Sequence, residues 1–223
     1  MSDDWNVEEE LKPLKLKCTS SDCKNGQHAY KPTRKQKAAN TVGQCRSCDE
    51  SAPFDWERLH KLDPRDIDYT IAALKNERIR QHYWTNKIPQ KVENYARRKG
   101  VSGMETAVEK QIRKSVGSPA NGFDGRQTPV EDSAKVNAVH FAQHATASCC
   151  RKCMEYWYGI SQDRSLTEHE ISYLSNLGMR FIGERFPLLT DKGEKIPAIR
   201  SQSGESDTKH QNRRSKNCNG DQH

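Results

Sequence analysis

His140-Phe141-Ala142-Gln143-His144-Ala145-Thr146-Ala147-Ser148-Cys149-Cys150-Arg151-Lys152-Cys153 is the stretch on which the reading of this chain turns. If residues 136–147 are helical, His140 and His144 stand one turn apart on the same face. Cys150 and Cys153 follow as a C-x-x-C knuckle, so two imidazoles and two thiolates meet at the end of one short helix. That is a ligand set for tetrahedral zinc. Two other readings of the same residues stand beside it. One is a core-facing helix with a hydrogen-bonded histidine; the other is a redox dithiol drawn from Cys149, Cys150 and Cys153. Vicinal cysteines rarely bond to each other, which makes one of Cys149 and Cys150 a spare. Cys218 lies in a polar tail and reads as a free thiol.

Outward from this stretch, the other cysteines form a second pattern. Cys18-Thr19-Ser20-Ser21-Asp22-Cys23 is followed, after a longer excursion, by Cys45-Arg46-Ser47-Cys48. Two paired-cysteine knuckles separated in this way are the ligand plan of a zinc ribbon, with His28 able to replace one thiolate. A closed four-ligand site is structural, and its apparent binding free energy is on the order of 10–16 kcal/mol. The chain has use for such a term. Leu, Ile, Val and Phe together number only 35 of its 223 residues. That falls below the roughly 20% at which disorder becomes a concern, although a net charge of +7 is modest for 37 basic and 30 acidic residues. The expected cofactor is therefore zinc, as two ions, held by Cys18, Cys23, Cys45 and Cys48 and by His140, His144, Cys150 and Cys153.

The remaining punctuation predicts helices. Asp63-Pro64 is an N-cap followed by proline at the first helical position, opening a helix that runs to Trp84. A second helix spans Gln90–Lys99 and stops at Gly100, and a third covers Met104–Val116 with Val108 and Ile112 inward. Residues 117–135 are rich in Gly, Pro, Asp and Ser and read as a loop. A short helix runs from Cys150 to Gly159. Thr167 with Glu170 is a capping box whose helix turns Ile171, Leu174, Leu177, Phe181 and Ile182 inward and ends at Pro187. The expected fold is mainly α with a small N-terminal β zinc ribbon (α+β). Its parts are a zinc-ribbon-like module over 14–54, a helical linker region over 55–100, a helical His/Cys-cluster domain over 101–188 and a disordered tail over 189–223. The acidic opening MSDDWNVEEE lacks an apolar signal core and no apolar run spans a membrane, which predicts a cytoplasmic protein.

The region from Gly103 to Pro187 resembles a bacterial and phage family described only as a domain of unknown function. The resemblance rests on Asp124-Gly125-Arg126-Gln127-Thr128-Pro129 and on Phe141 through Cys153, continued by Glu155, Trp157, Gly159 and Ile160. It covers about 85 residues and implies a small helical domain with a His/Cys cluster, without an established activity. This chain departs from the pattern at Tyr158, where the family has a histidine, and around Asn137, where it has Gly-His-Pro. If a family histidine completes the metal site, His140 substitutes for it; otherwise His144, Cys150 and Cys153 remain, and three ligands plus water is a catalytic arrangement.

Three functions follow from these residues. The first is a zinc-binding, nucleic-acid-associated protein, an accessory of phage, mobile-element or defence biology. It rests on a pI near 9.0 and on two basic clusters that include Arg34, Lys35 and Lys37 in one and Arg97 and Arg98 in the other. The second cluster is interleaved with His82, Tyr83, Trp84 and Tyr95, so cations would meet phosphates while rings stack on bases. Against it stands the reading in which the basic residues near four thiolates only offset their charge. The second function is a zinc-dependent hydrolase or nuclease centred on His144, Cys150 and Cys153, with Asp124 as general base and Gln127 as a polar contributor. The H-E-x-x-H arrangement is absent, and two thiolates weaken zinc as a Lewis acid. The third is a protein-interaction adaptor whose zinc sites only stabilise surfaces. Loop 124–129 also reads as a plain turn packed over the second cluster, orienting His144.

Overall fold

The computed structural model describes residues 16–120 and 128–197. Eight α-helices lie among them: α1 (Arg34–Ala38), α2 (Trp56–His60), α3 (Ile67–Leu74), α4 (Arg78–Thr85), α5 (Gln90–Val116), α6 (Ala138–Ala145), α7 (Arg151–Tyr158) and α8 (Glu168–Arg185). Single 3-10 turns cover Cys23–Asn25 and Pro64–Asp66.

The centre is α6. Residues 136–150 carry no Asp, Glu, Lys or Arg, and every residue of α6 is buried. It packs against α4, α5 and α8, while α5 and α8 pack along each other. Gly178 of α8 makes that last approach close, since a Cβ there would meet Val108 of α5 at 2.9 Å. A buried helix must satisfy the carbonyls at its C-terminal end. Arg80 donates to His144 O (2.6 Å), Trp84 Nε1 to Ala145 O (3.3 Å), and Tyr158 OH to Thr146 O. The guanidinium also sits where the helix dipole favours a cation.

Helix α5 is two helices broken at Gly100, where φ is +65° and ψ is −178°. The chain thus has its stop at Gly100, as the sequence predicts. The amides freed at the break are taken by a C-terminal strap: Val101 N donates to Thr190 O (2.9 Å) and Ser102 N to Asp191 O (3.3 Å). Arg97 and Glu194 pair across it at 2.6 Å. A Cβ on Gly100 would lie 2.6 Å from Asp191 O and Gly193 N, so only glycine fits. Residues 190–194 are therefore docked, whereas the rest of the expected disordered tail, from 198 on, lies outside the described residues.

The expected N-terminal β element is not formed, which corrects the α+β assignment. Among the described residues there are no strands, only isolated bridges at Asp22–Gln27, His28–Glu77 and Gln44–Ser51. Two causes are visible. The excursion between the knuckles holds a helical turn instead of a hairpin: Thr33 and Gln36 cap α1 reciprocally in a T-x-x-Q box. And the segment at His28 pairs with the α3–α4 junction, with His28 N donating to Asn76 O (3.0 Å) and Arg78 N to His28 O (2.9 Å). That pairing also accounts for the break between α3 and α4 in the single helix expected over 64–84, which opens as the 3-10 turn Pro64–Asp66.

Candidate metal centres

The N-terminal knuckles are built by two tight turns. Cys23 opens a 3-10 turn closed by Gly26 in the left-handed region (φ +68°), which returns the chain to His28. In the second knuckle Asp49 N donates to Cys45 O (2.9 Å), and Ser47 N points at Cys45 Sγ (3.5 Å). The ligand atoms of Cys23, His28, Cys45 and Cys48 all lie within 4.8 Å of one another. Cys23 Sγ and Cys45 Sγ are 3.7 Å apart, and Cys48 Sγ is 3.6 Å from His28 Nδ1. A tetrahedron with metal–sulfur bonds of about 2.3 Å and metal–nitrogen bonds of about 2.05 Å has S–S edges near 3.8 Å and S–N edges near 3.6 Å. The set fits a zinc ion, and its cysteines are free, with Cys23 and Cys45 well beyond the bonded S–S distance of about 2.05 Å. Burial opposes ionisation of Cys45, but hydrogen bonds with the backbone at Ala29, Ser47 and Cys48 outweigh it and lower the thiol to about 6.

Cys18 is not part of this centre; His28 occupies the fourth place. Cys18 Sγ instead lies 3.7 Å from Cys153 Sγ, across 135 residues of chain. The ligand atoms of Cys149, Cys150 and Cys153 lie within 4.8 Å of one another. The turn after α6 brings them together: Ala147 takes a positive φ of 53°, Ser148 N donates to Gln143 O (2.9 Å), and Cys150 then caps α7. Cys149, left out of the expected ligand set, is in the cluster. Hydrogen bonding to Cys149, then to Cys153, lowers Cys150 to about 3, against the opposing effect of burial.

Arg80, fully buried, faces this second cluster. Its Nη2 is 3.2 Å from Cys153 Sγ and 3.9 Å from Cys18 Sγ, and its Nη1 is 3.6 Å from Cys149 Sγ. Nε donates to Glu77 at 2.9 Å. Burial works against the guanidinium's charge, yet Cys153, Tyr156 and Glu77 raise its pKa. Glu77 also accepts from Tyr30 N (3.3 Å), Tyr156 OH (2.9 and 3.0 Å) and Trp157 Nε1 (3.0 Å). Above this carboxylate an aromatic cluster joins the two halves of the chain: Phe54 stacks on Trp157 (5.4 Å), with Trp56 and Tyr30 at the edges.

The two histidines expected as ligands stand apart from the thiols. His144 stacks on Tyr83 at 4.8 Å, and its Nε2 is 3.0 Å from Pro129 O. His140 is buried, which lowers its pKa, while a hydrogen bond to the Lys135 backbone acts in the other direction. Asp124 and Gln127 lie outside the described residues. The described end of their loop does pack on the second cluster: Thr128 Oγ1 donates to Cys149 O (2.9 Å) and approaches Gln143 Oε1 (3.2 Å). Glu77 and Arg80 escaped the sequence reading. The nearest signal is Arg78, which lies between them and breaks the apolar stripe of Ile67, Ile71 and Leu74.

The basic clusters divide in the same way. Arg34, Lys35 and Lys37 are exposed on α1, and residues 31–48 hold five cations and no carboxylate. In the other cluster Tyr83 and Trp84 are core residues, His82 pairs with Glu131 (2.7 Å), and Arg97 pairs with Glu194, leaving Arg98 exposed. Tyr83 and Trp84 are therefore not available for stacking on bases.

Residues 68–183, just over half the chain, match the family model described as a domain of unknown function, DUF4186. The chain belongs to this family. No solved structure matches it. The DUF4186 segment begins within α3 and ends within α8, so it contains Glu77, Arg80, Cys149, Cys150 and Cys153, while Cys18 and the whole first centre precede it. No helix among the described residues is long and apolar enough to cross a membrane.

Proposed function

We propose that this chain is a zinc-stabilised, nucleic-acid-binding protein in which two thiolate-rich centres hold a basic surface. Zinc is favoured over other divalent ions by the donor chemistry: soft thiolates with one imidazole at tetrahedral distances, and no oxygen ligands. The observation that carries the functional part is the position of α1. It sits inside the loop between His28 and Cys45, so the ion that closes the first centre also fixes the helix bearing Arg34, Lys35 and Lys37. Three thiolates, one neutral imidazole and Zn²⁺ sum to a single negative charge, which the five cations of residues 31–48 exceed. Of the five, Arg34, Lys35 and Lys37 face solvent, Lys37 with Glu155 Oε2 at 3.9 Å, and this exposed part of the surplus suits phosphates.

The hydrolase arrangement on His144, Cys150 and Cys153 has less support, because His144 is held by Tyr83 and Pro129. The test is a titration of affinity for duplex and single-stranded oligonucleotides against salt. If about five phosphates are contacted, log K falls against log salt with a slope of about −4.5 on duplex DNA. No binding at low salt refutes the nucleic-acid assignment.

A further inference from the structure

We infer that Cys18 completes a second, four-thiolate metal centre with Cys149, Cys150 and Cys153, and that this centre clamps the N-terminal segment onto the DUF4186 domain. The inference rests on the two-centre reading above and adds the identity and closure of the second site. Three observations converge. The Cys18–Cys153 separation of 3.7 Å is the S–S edge of a tetrahedron around zinc, about 3.8 Å. The other three sulfurs are already gathered within 4.8 Å. A fully buried guanidinium then reaches Cys18, Cys149 and Cys153 at 3.9, 3.6 and 3.2 Å.

The charge explains the arginine. Four thiolates around Zn²⁺ carry −2, and a buried anion of that size needs a buried cation with donors aimed at its sulfurs. Arg80 carries five donors in a fixed fork, and its Nη1 and Nη2 face the sulfurs. Glu77 takes Nε and so orients the fork toward the thiolates. In this arrangement Cys18 is the ligand that separates a closed structural site from an open three-ligand one. No position is left for water, and the centre ties a residue before the first knuckle to a turn more than 130 residues later.

Metal content of purified full-length protein, measured after passage over a chelating resin, tests this. Wild type is expected to keep two equivalents of zinc, Cys18→Ser one, Cys45→Ser one, and the double variant Cys18→Ser/Cys45→Ser none. Cys18→His, which retains a ligand, is expected to regain the second equivalent, and that separates ligand loss from misfolding. If Cys18→Ser keeps two equivalents, Cys18 is not a ligand and the inference falls while the two-centre reading survives. If the double variant keeps one, Cys18 belongs to the first centre and the inference is likewise overturned. Failure of Cys18→His to restore the ion also counts against it. A wild-type content of one or none refutes the two-centre reading itself.

Discussion

Glu77→Gln isolates the polar core on which both halves of the chain converge. The carboxylate is completely buried and accepts from four groups: Arg80 Nε, Tyr156 OH, Trp157 Nε1 and Tyr30 N. Glutamine keeps the shape but offers one acceptor oxygen. If that oxygen faces Arg80 and Trp157, the new NH₂ group faces Tyr30 N, donor against donor. Reversing the amide sets it against Arg80 and Trp157 instead. Breaking a buried ion pair from one side costs about 3–5 kcal/mol, and a stranded buried donor about 1–3 kcal/mol. The arginine's remaining contacts to sulfur and to His144 O soften the first figure, so the total should stay near 3–5 kcal/mol. For a chain of this size that is a fall in Tm of roughly 6–20 °C. Replacing both partners, Glu77→Leu with Arg80→Met, should not recover the loss. His144 O, Trp157 Nε1 and the Cys153 sulfur would then all lack their donor or acceptor. Thermal melts followed by circular dichroism read both variants. A fall below about 2 °C for Glu77→Gln, or full recovery in the double variant, would show that Glu77 does not organise this core.

Three further outcomes are expected. Gly100→Ala should cost about 1–3 kcal/mol, because the left-handed φ strains any other residue and its Cβ collides with the strap; hydrogen exchange at Val101 and Ser102 should accelerate, and unchanged protection there would contradict the docking. Charge reversal of Arg34, Lys35 and Lys37 together should reduce the magnitude of the salt slope by about 3 while leaving Tm nearly unchanged; an unaltered slope places the phosphate contacts elsewhere. Burial holds the pKa of His140 below the ordinary imidazole value. The unfolded chain therefore binds the proton first, and stability should fall as pH drops below about 6.5. His140→Leu should flatten that decline relative to wild type in urea midpoints measured from pH 7 to 5, and an identical slope in both proteins rules the histidine out as its source.

Local signals in the sequence proved legible where one residue determines one backbone event. Gly100 stops a helix, Thr167 and Glu170 start another, Gly159 closes α7, and the inward stripe of α8 is buried as its period requires. The capping pair Thr33-x-x-Gln36 is just as readable, but the paired cysteines on either side favour a ribbon. What spacing does not reveal is which ligands meet. Cys18 and Cys23 look like one knuckle, yet Cys18 joins Cys153 and His28 closes the first set. Partner exchange of this kind depends on tertiary contacts at separations above a hundred residues, which no local pattern encodes. The histidines of α6 fall outside the thiol group for a related reason: helical spacing puts them on one face, but the fold stacks His144 on Tyr83 and sets its Nε2 3.0 Å from Pro129 O.

The pairing of His28 with the α3–α4 junction bears on how this protein is to be divided. A fragment cut at residue 68, where the family match begins, would leave Trp157 bare, Glu77 short of one donor and Cys153 without its neighbour. Such a piece should aggregate when produced by itself.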